Sequence, residues 1–106
     1  MYAQVTNLSV PIGKMDEFRE LVQNQYFGNV QKREGFMMAN LLEAIDDPHS
    51  AQIITYWDSQ HAIENARRTG SLQETVQMLA SYMPGVRLLR QGYIVTVNTK
   101  DNRVTA

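Results

Sequence analysis

Four side chains stand out as able to do chemistry. Asn7 interrupts a stretch from Tyr2 to Val10 that reads as a strand anchored by Val5, Leu8 and Val10. An amide buried in such a strand must be hydrogen-bonded or it costs about 1–3 kcal/mol. There it could orient a substrate oxygen, or bond backbone near the strand end. Trp57, beside Tyr56, offers a flat surface for an aromatic ligand. It could equally fill a core with its N–H satisfied locally. His61, given a carboxylate neighbour, could serve as an acid–base group near neutral pH; otherwise it is a solvated surface histidine. Arg67, with Arg68 after it, could bring positive charge to a pocket mouth or sit solvated at a helix end, where the dipole favours it. Met37, Met38, Met78 and Met83, among six methionines, suit either an adaptable apolar cavity or a gap-filled core.

Other chemistries lack their residues. His49 and His61 have no HExxH or comparable spacing to hold a metal. Ser9, Ser71 and Ser81 lack a G-x-S-x-G setting, and there is no glycine-rich phosphate loop. The chain has no cysteine, which excludes disulfides, thiolate metal sites and thiol nucleophiles. Ten Lys and Arg against eleven Asp and Glu give a net charge of −1. That is no footprint for a phosphate backbone, and no RNP-type aromatic motif is present, so nucleic acid is not an expected partner. No apolar run nears the ~18 residues of a membrane span, so no membrane association is expected. The first residues do not form a signal peptide, and a cytoplasmic location is expected.

The elements that must position these residues can be read from periodicity. Ile53-Ile54-Thr55-Tyr56-Trp57 is apolar on both alternating faces, so the sheet containing it needs a cover on each side. Asp58 and Ser59 end this strand and cap a following helix. Before it, Tyr2–Val10 reads as a strand closed by Pro11-Ile12-Gly13. Lys14 to about Arg33 reads as a long helix whose apolar stripe is Met15, Phe18, Val22, Tyr26 and Val30, weakened at Gly28. Phe36–Ile45 and Ala51–Asp58 make a hairpin around Asp46-Asp47-Pro48-His49. Ser59 to about Arg68 is a short helix. Ser71-Leu72-Gln73-Glu74 matches a capping box that opens a second helical piece running to Met83. Val86–Asn98 reads as a final strand longer than its partners, able to reach another subunit. The domain is expected over residues 1–98, with 99–106 a polar tail. The order strand, helix, strand, strand, broken helix, strand is the βαββαβ arrangement of a ferredoxin-like α+β fold with a four-stranded antiparallel sheet. Helices cover one face, and a second copy of the chain is expected to cover the other, forming a dimeric α+β barrel.

The chain resembles the antibiotic biosynthesis monooxygenase family of dimeric α/β barrels. The likeness rests on Pro11-Ile12-Gly13-Lys14, Arg33-Glu34-Gly35-Phe36, Asp46-Asp47-Pro48 and Tyr56-Trp57-Asp58-Ser59 with Ala62, in that order over residues 1 to about 98. The family includes enzymes that oxidise aromatic or quinol substrates with molecular oxygen and neither metal nor flavin, and it includes haem degraders. In the haem degraders an Asn on the first strand, a Trp in the helix after strand three and a His ligand form the site. Asn7 matches the first, but the other two positions hold Ala66 and Val76, so haem degradation is not expected. The resemblance implies a cofactor-independent monooxygenase acting on a small aromatic or quinol-like molecule in a pocket between sheet and helices. No cofactor or metal is expected, and Asn7, Trp57, His61 and Arg67 are the candidate catalytic residues. The alternative is a non-catalytic homodimer that binds a small apolar ligand.

Overall fold

The computed structural model describes residues 1–68, 77, 81 and 83–99, with the side chains of Arg67 and Arg68 outside that description. The Ser71–Glu74 capping box, Met78 and the tail from Lys100 lie outside the described residues. Strands β1 (Tyr2–Ser9), β2 (Phe36–Glu43), β3 (Ser50–Trp57) and β4 (Arg87–Ile94) form one antiparallel sheet in the order β2-β3-β1-β4. Between β1 and β2 runs one helical stretch: α1 (Met15–Leu21), a π-helical turn (Val22–Tyr26) and α2 (Phe27–Val30). Helix α3 (Gln60–Arg68) follows β3. This is the ferredoxin-like α+β fold.

The alternation of β3 survives intact. Ala51, Ile53, Thr55 and Trp57 are buried, while Ser50, Gln52, Ile54 and Tyr56 are half-buried. The buried set meets the helices. The stripe Phe18, Val22, Tyr26 and Val30 is buried along the first helical stretch, and Ala62, Ile63 and Ala66 are buried on α3. Together with Leu8, Val10 and Met83 these residues make the core. The stripe stays on one face because its steps of four suit a helix, and the π turn rotates the chain locally without breaking it.

The chain is pinned at two turns. Asp47 closes the hairpin: it accepts the backbone N–H of His49 at 2.9 Å and the hydroxyl of Ser50 at 2.6 Å. Gly35 lies at φ +82°, and a Cβ there would fall 2.5 Å from the Ala62 Cβ and 2.7 Å from an Asp58 carboxylate oxygen. Only glycine allows β2 to start this close to α3.

Three boundaries differ from the sequence reading. β2 stops at Glu43, leaving Ile45 almost wholly exposed in the turn. A bulge between Phe36 and Met38 disturbs its first residues. β4 is no longer than its partners. Its last residue, Ile94, pairs with Tyr2, the first residue of β1. One further backbone bond, Val95 to Met1 at 2.9 Å, closes the edge.

Candidate functional site

Register assigns each strand residue to a face. On β1, Tyr2, Gln4, Thr6 and Leu8 face the helices, because their partners on β3 are Trp57, Thr55, Ile53 and Ala51. On β4 the same face carries Leu88, Arg90, Gly92 and Ile94. This layer holds more polar groups than a plain core needs. Gln4 is 1% exposed, and Thr6 and Thr55 are also buried. The Trp57 indole N–H donates to the Thr55 hydroxyl at 2.9 Å. Burial pushes the Tyr26 phenol above its ordinary range, and the charge of Arg90 works against that shift. Arg90 therefore projects its field into the space between sheet and helices.

Over one end of this layer lies a cleft of about 370 Å³ between α3 and the β1–β4 edge. Gln60, Ile63 and Glu64 form its helical wall, Tyr2, Gly92 and Ile94 its sheet side, and Tyr93 its rim. Gly92 is opposite Gln4 and is not among the glycines with positive φ, so its backbone conformation does not call for glycine. What it supplies is a stretch of sheet without a side chain. The Gln60 amide donates to the Glu64 carboxylate at 3.1 Å, which holds the acid on the cleft wall. The volume fits a small ligand, and phenol, amide and carboxylate groups surround an apolar floor.

The structure does not gather Asn7, Trp57 and His61 into one site. Asn7 lies on the opposite side of the sheet from the helices. It is exposed, and its Oδ1 accepts the Gln52 Nε2–H at 2.7 Å. Its expected place in a pocket between sheet and helices is thus corrected by strand parity. Asn7 instead edges an open cleft of about 320 Å³ with Leu42, Glu43 and Gln52. Trp57 is fully buried, its ring edge-on to Phe36 at 5.7 Å and 79°. It adjoins Tyr2 across the ladder and so backs the α3 cleft without opening into it. His61 is exposed in a third cleft, of about 370 Å³, with Glu34, Asp58 and Asn65. Position 67 lies on α3, three residues after Glu64.

Sequence reasoning missed Tyr2, Gln4, Glu64, Arg90 and Gly92. The available signal was Gln4 and Thr6, two polar residues at alternate positions between Tyr2 and Leu8. It was obscured because the apolar anchors Val5, Leu8 and Val10 do not share one parity. Among the described residues no group of three or more His, Cys, Asp or Glu could hold a metal ion. Nor is any helix among them long and apolar enough to cross a membrane.

Fold and cleft together define a ferredoxin-like domain with a ligand-sized space under its second helix. The chain belongs to the antibiotic biosynthesis monooxygenase family, whose model matches residues 1–78. Its fold is similar to that of a Deinococcus radiodurans protein assigned to the same family, at TM-score 0.77 and 15% identity over 92% of this chain and 95% of that one. It is also similar to SnoaB, a cofactor-independent oxygenase from Streptomyces nogalater, at TM-score 0.76 and 16% identity over 92% and 94% of the two chains. A dimeric ferredoxin-like protein from an uncultured marine organism aligns at TM-score 0.74 and 9% identity over 92% and 96%. No curated protein matches the chain.

Proposed function

We propose that this protein is a cofactor-independent monooxygenase acting on a small aromatic or quinol-like molecule held in the cleft between α3 and the β1–β4 edge. The observation that carries the reading is the side-chain-free floor at Gly92, roofed by α3 and walled by Tyr2, Ile63 and Glu64. Family membership and the oxygenase chemistry of SnoaB support the reaction class.

The chemistry suits such a space. An electron-rich substrate that loses a proton becomes an anion able to pass an electron to oxygen, so the protein need only bind it, exclude water and stabilise charge. Glu64 is the cleft's proton acceptor. Tyr2 offers its phenol to a substrate oxygen, and Arg90, on the helix-facing side of β4, favours the anion; Arg67 is a further candidate for that role. Trp57 keeps the floor rigid from behind. The working unit is a homodimer joined through the sheet face opposite the described helices, where Met38, Leu42, Leu89 and Tyr93 are exposed. Residues 1–98 form the catalytic domain and 99–106 a polar tail, in a cytoplasmic protein.

The test is oxygen consumption with a panel of anthrones, quinols and flavonoids. One class is expected to be turned over, and Gly92→Leu is expected to abolish turnover while leaving the circular dichroism unchanged. Glu64→Gln is expected to lower kcat at least tenfold with a smaller effect on KM. If no panel member is consumed or changes spectrum, the enzyme reading fails. Saturable binding without turnover, lost in Gly92→Leu, would mark the protein as a binder of small apolar ligands.

A further inference from the structure

We propose that Asn7 and Gln52 form a self-complementary amide lock that fixes the register in which two copies of this chain meet, sheet against sheet. The inference rests on the homodimer reading and specifies how that interface is aligned.

The face opposite the described helices is ordered in rows across the sheet. One row is Met38, Tyr56, Ala3 and Tyr93. The next is Asn40, Ile54, Val5 and Gln91, polar outside and apolar inside. The third is Leu42, Gln52, Asn7 and Leu89, apolar outside and polar inside. A last row of Ser50, Ser9 and Arg87 is polar throughout. The amide pair thus sits inside the face, between Leu42 and Leu89 on either side and Ile54 and Val5 above. A purely greasy patch would slide. Here a slip of one row toward Ile54 and Val5 places amides against apolar side chains.

The pair's own hydrogen bond sets what it can still do. Gln52 donates through Nε2 and Asn7 accepts through Oδ1, at 2.7 Å. That leaves a donor, the Asn7 Nδ2–H, beside an acceptor, the Gln52 Oε1. A two-fold axis presents the same patch to itself, so residue i meets j and j meets i. The Asn7 amide then donates to Gln52 of the partner subunit, and the reciprocal bond forms by symmetry. Two bonds arise from one pair of residues, in one register only. A buried polar residue that fixes register at a cost in stability acts in the same way.

A second copy is the occupant that fits. The face carries a single charge, Arg87, on its last row, so it offers an acidic or basic partner little to read. Four strands about 4.8 Å apart and eight residues at about 3.3 Å each give roughly 500 Å² in plan per copy. Two copies then reach the ~1,000 Å² at which specific interfaces begin.

The chain has no cysteine, so single reporters placed at Val5, Leu42, Ile54 and Leu89 can map the interface by oxidative cross-linking. With the native amides, one or two positions are expected to dominate. In an Asn7→Leu/Gln52→Leu background, cross-links are expected to spread over the others while the dimer persists in sedimentation. Asn7→Leu alone leaves Gln52 without its bond and is expected to weaken the dimer at least tenfold, with the double variant recovering that loss. Circular dichroism checks that each variant folds. An unchanged cross-linking pattern in the double variant, or no weakening in Asn7→Leu, overturns the lock while the dimer stands. A native protein that sediments as a monomer, with no cross-link from any reporter placed beside the native amides, overturns the homodimer reading and the lock with it; a different partner on this face would give that result.

Discussion

The two faces of the sheet are built from the same four strands and differ in what they do with polar residues. The helix side seals its polar groups. Gln4, Thr6 and Thr55 lie among Trp57, Phe18 and Tyr26, and the indole N–H is satisfied within the same strand at 2.9 Å. The other side leaves Asn7 exposed and its apolar residues half-open, Leu89 at 71% and Tyr93 at 52%. The first face is packed beneath the described helices. The second has spare hydrogen-bonding capacity and uncovered apolar area, and both are requirements for a partner. Each face therefore sets its polar groups in different surroundings: in the one layer they are buried, and on the other Asn7 and Gln52 bond each other at the surface.

The contrast predicts unequal responses to the same kind of truncation. Trp57→Ala removes a fully buried ring from the sealed side and is expected to cost about 3–5 kcal/mol in denaturant unfolding. Leu89→Ala, on the open side, should stay within about 0.5 kcal/mol for the subunit and show itself in the dissociation constant of the proposed dimer. Similar costs at the two positions would erase the distinction between the faces.

Gly35→Ala should come next in size. It sets a Cβ against Ala62 and the Asp58 carboxylate at a left-handed φ, which together are worth roughly 2–4 kcal/mol. Because the strain falls where β2 meets α3, binding in the α3 cleft should weaken along with the fold, and ligand titration beside thermal unfolding would show both.

Gly28→Ala should stabilise. A Cβ there meets nothing within 4 Å, and alanine is better than glycine in a helix by about 0.5–1 kcal/mol. A lower melting temperature would mean that the turn after the π stretch requires glycine.

The smallest effect is acid sensitivity. The Arg19 guanidinium, which grips both oxygens of Glu43, holds that carboxyl below its ordinary value. The Ser50 hydroxyl and the His49 backbone N–H do the same for Asp47. Groups with folded pKa values below their unfolded ones add stability that is complete above the ordinary values of 4.5 and 3.8. That contribution is lost as the pH falls through the lowered ones. Both groups are solvent-facing, so the loss is modest. Melting temperature followed below pH 5 should fall less steeply in Asp47→Asn and Arg19→Gln than in the native chain.

How much of this was legible in the sequence depends on the range of the interaction. The helix stripe, the two-faced strand β3 and the Asp47 turn are local patterns, and each lies where spacing put it. Asn7 was legible as an unusual residue, but not its side of the sheet. Val5, Leu8 and Val10 give β1 no single apolar parity, and only pairing with β3 turns Gln4 inward and Asn7 outward. The length of β4 was likewise hidden, since its pairing with β1 is a long-range contact.

By itself the sequence determined which residues share a face, because periods of two and near four follow from backbone geometry. The tertiary structure alone decided which face the helices would cover. It brought Gly92 beneath α3, more than twenty residues away in the chain, and set Asn7 beside Gln52 on the side opposite the described helices. The reason is physical: periodicity relates neighbours within an element, whereas the side on which a crossover packs is set by the twist and handedness of the whole sheet.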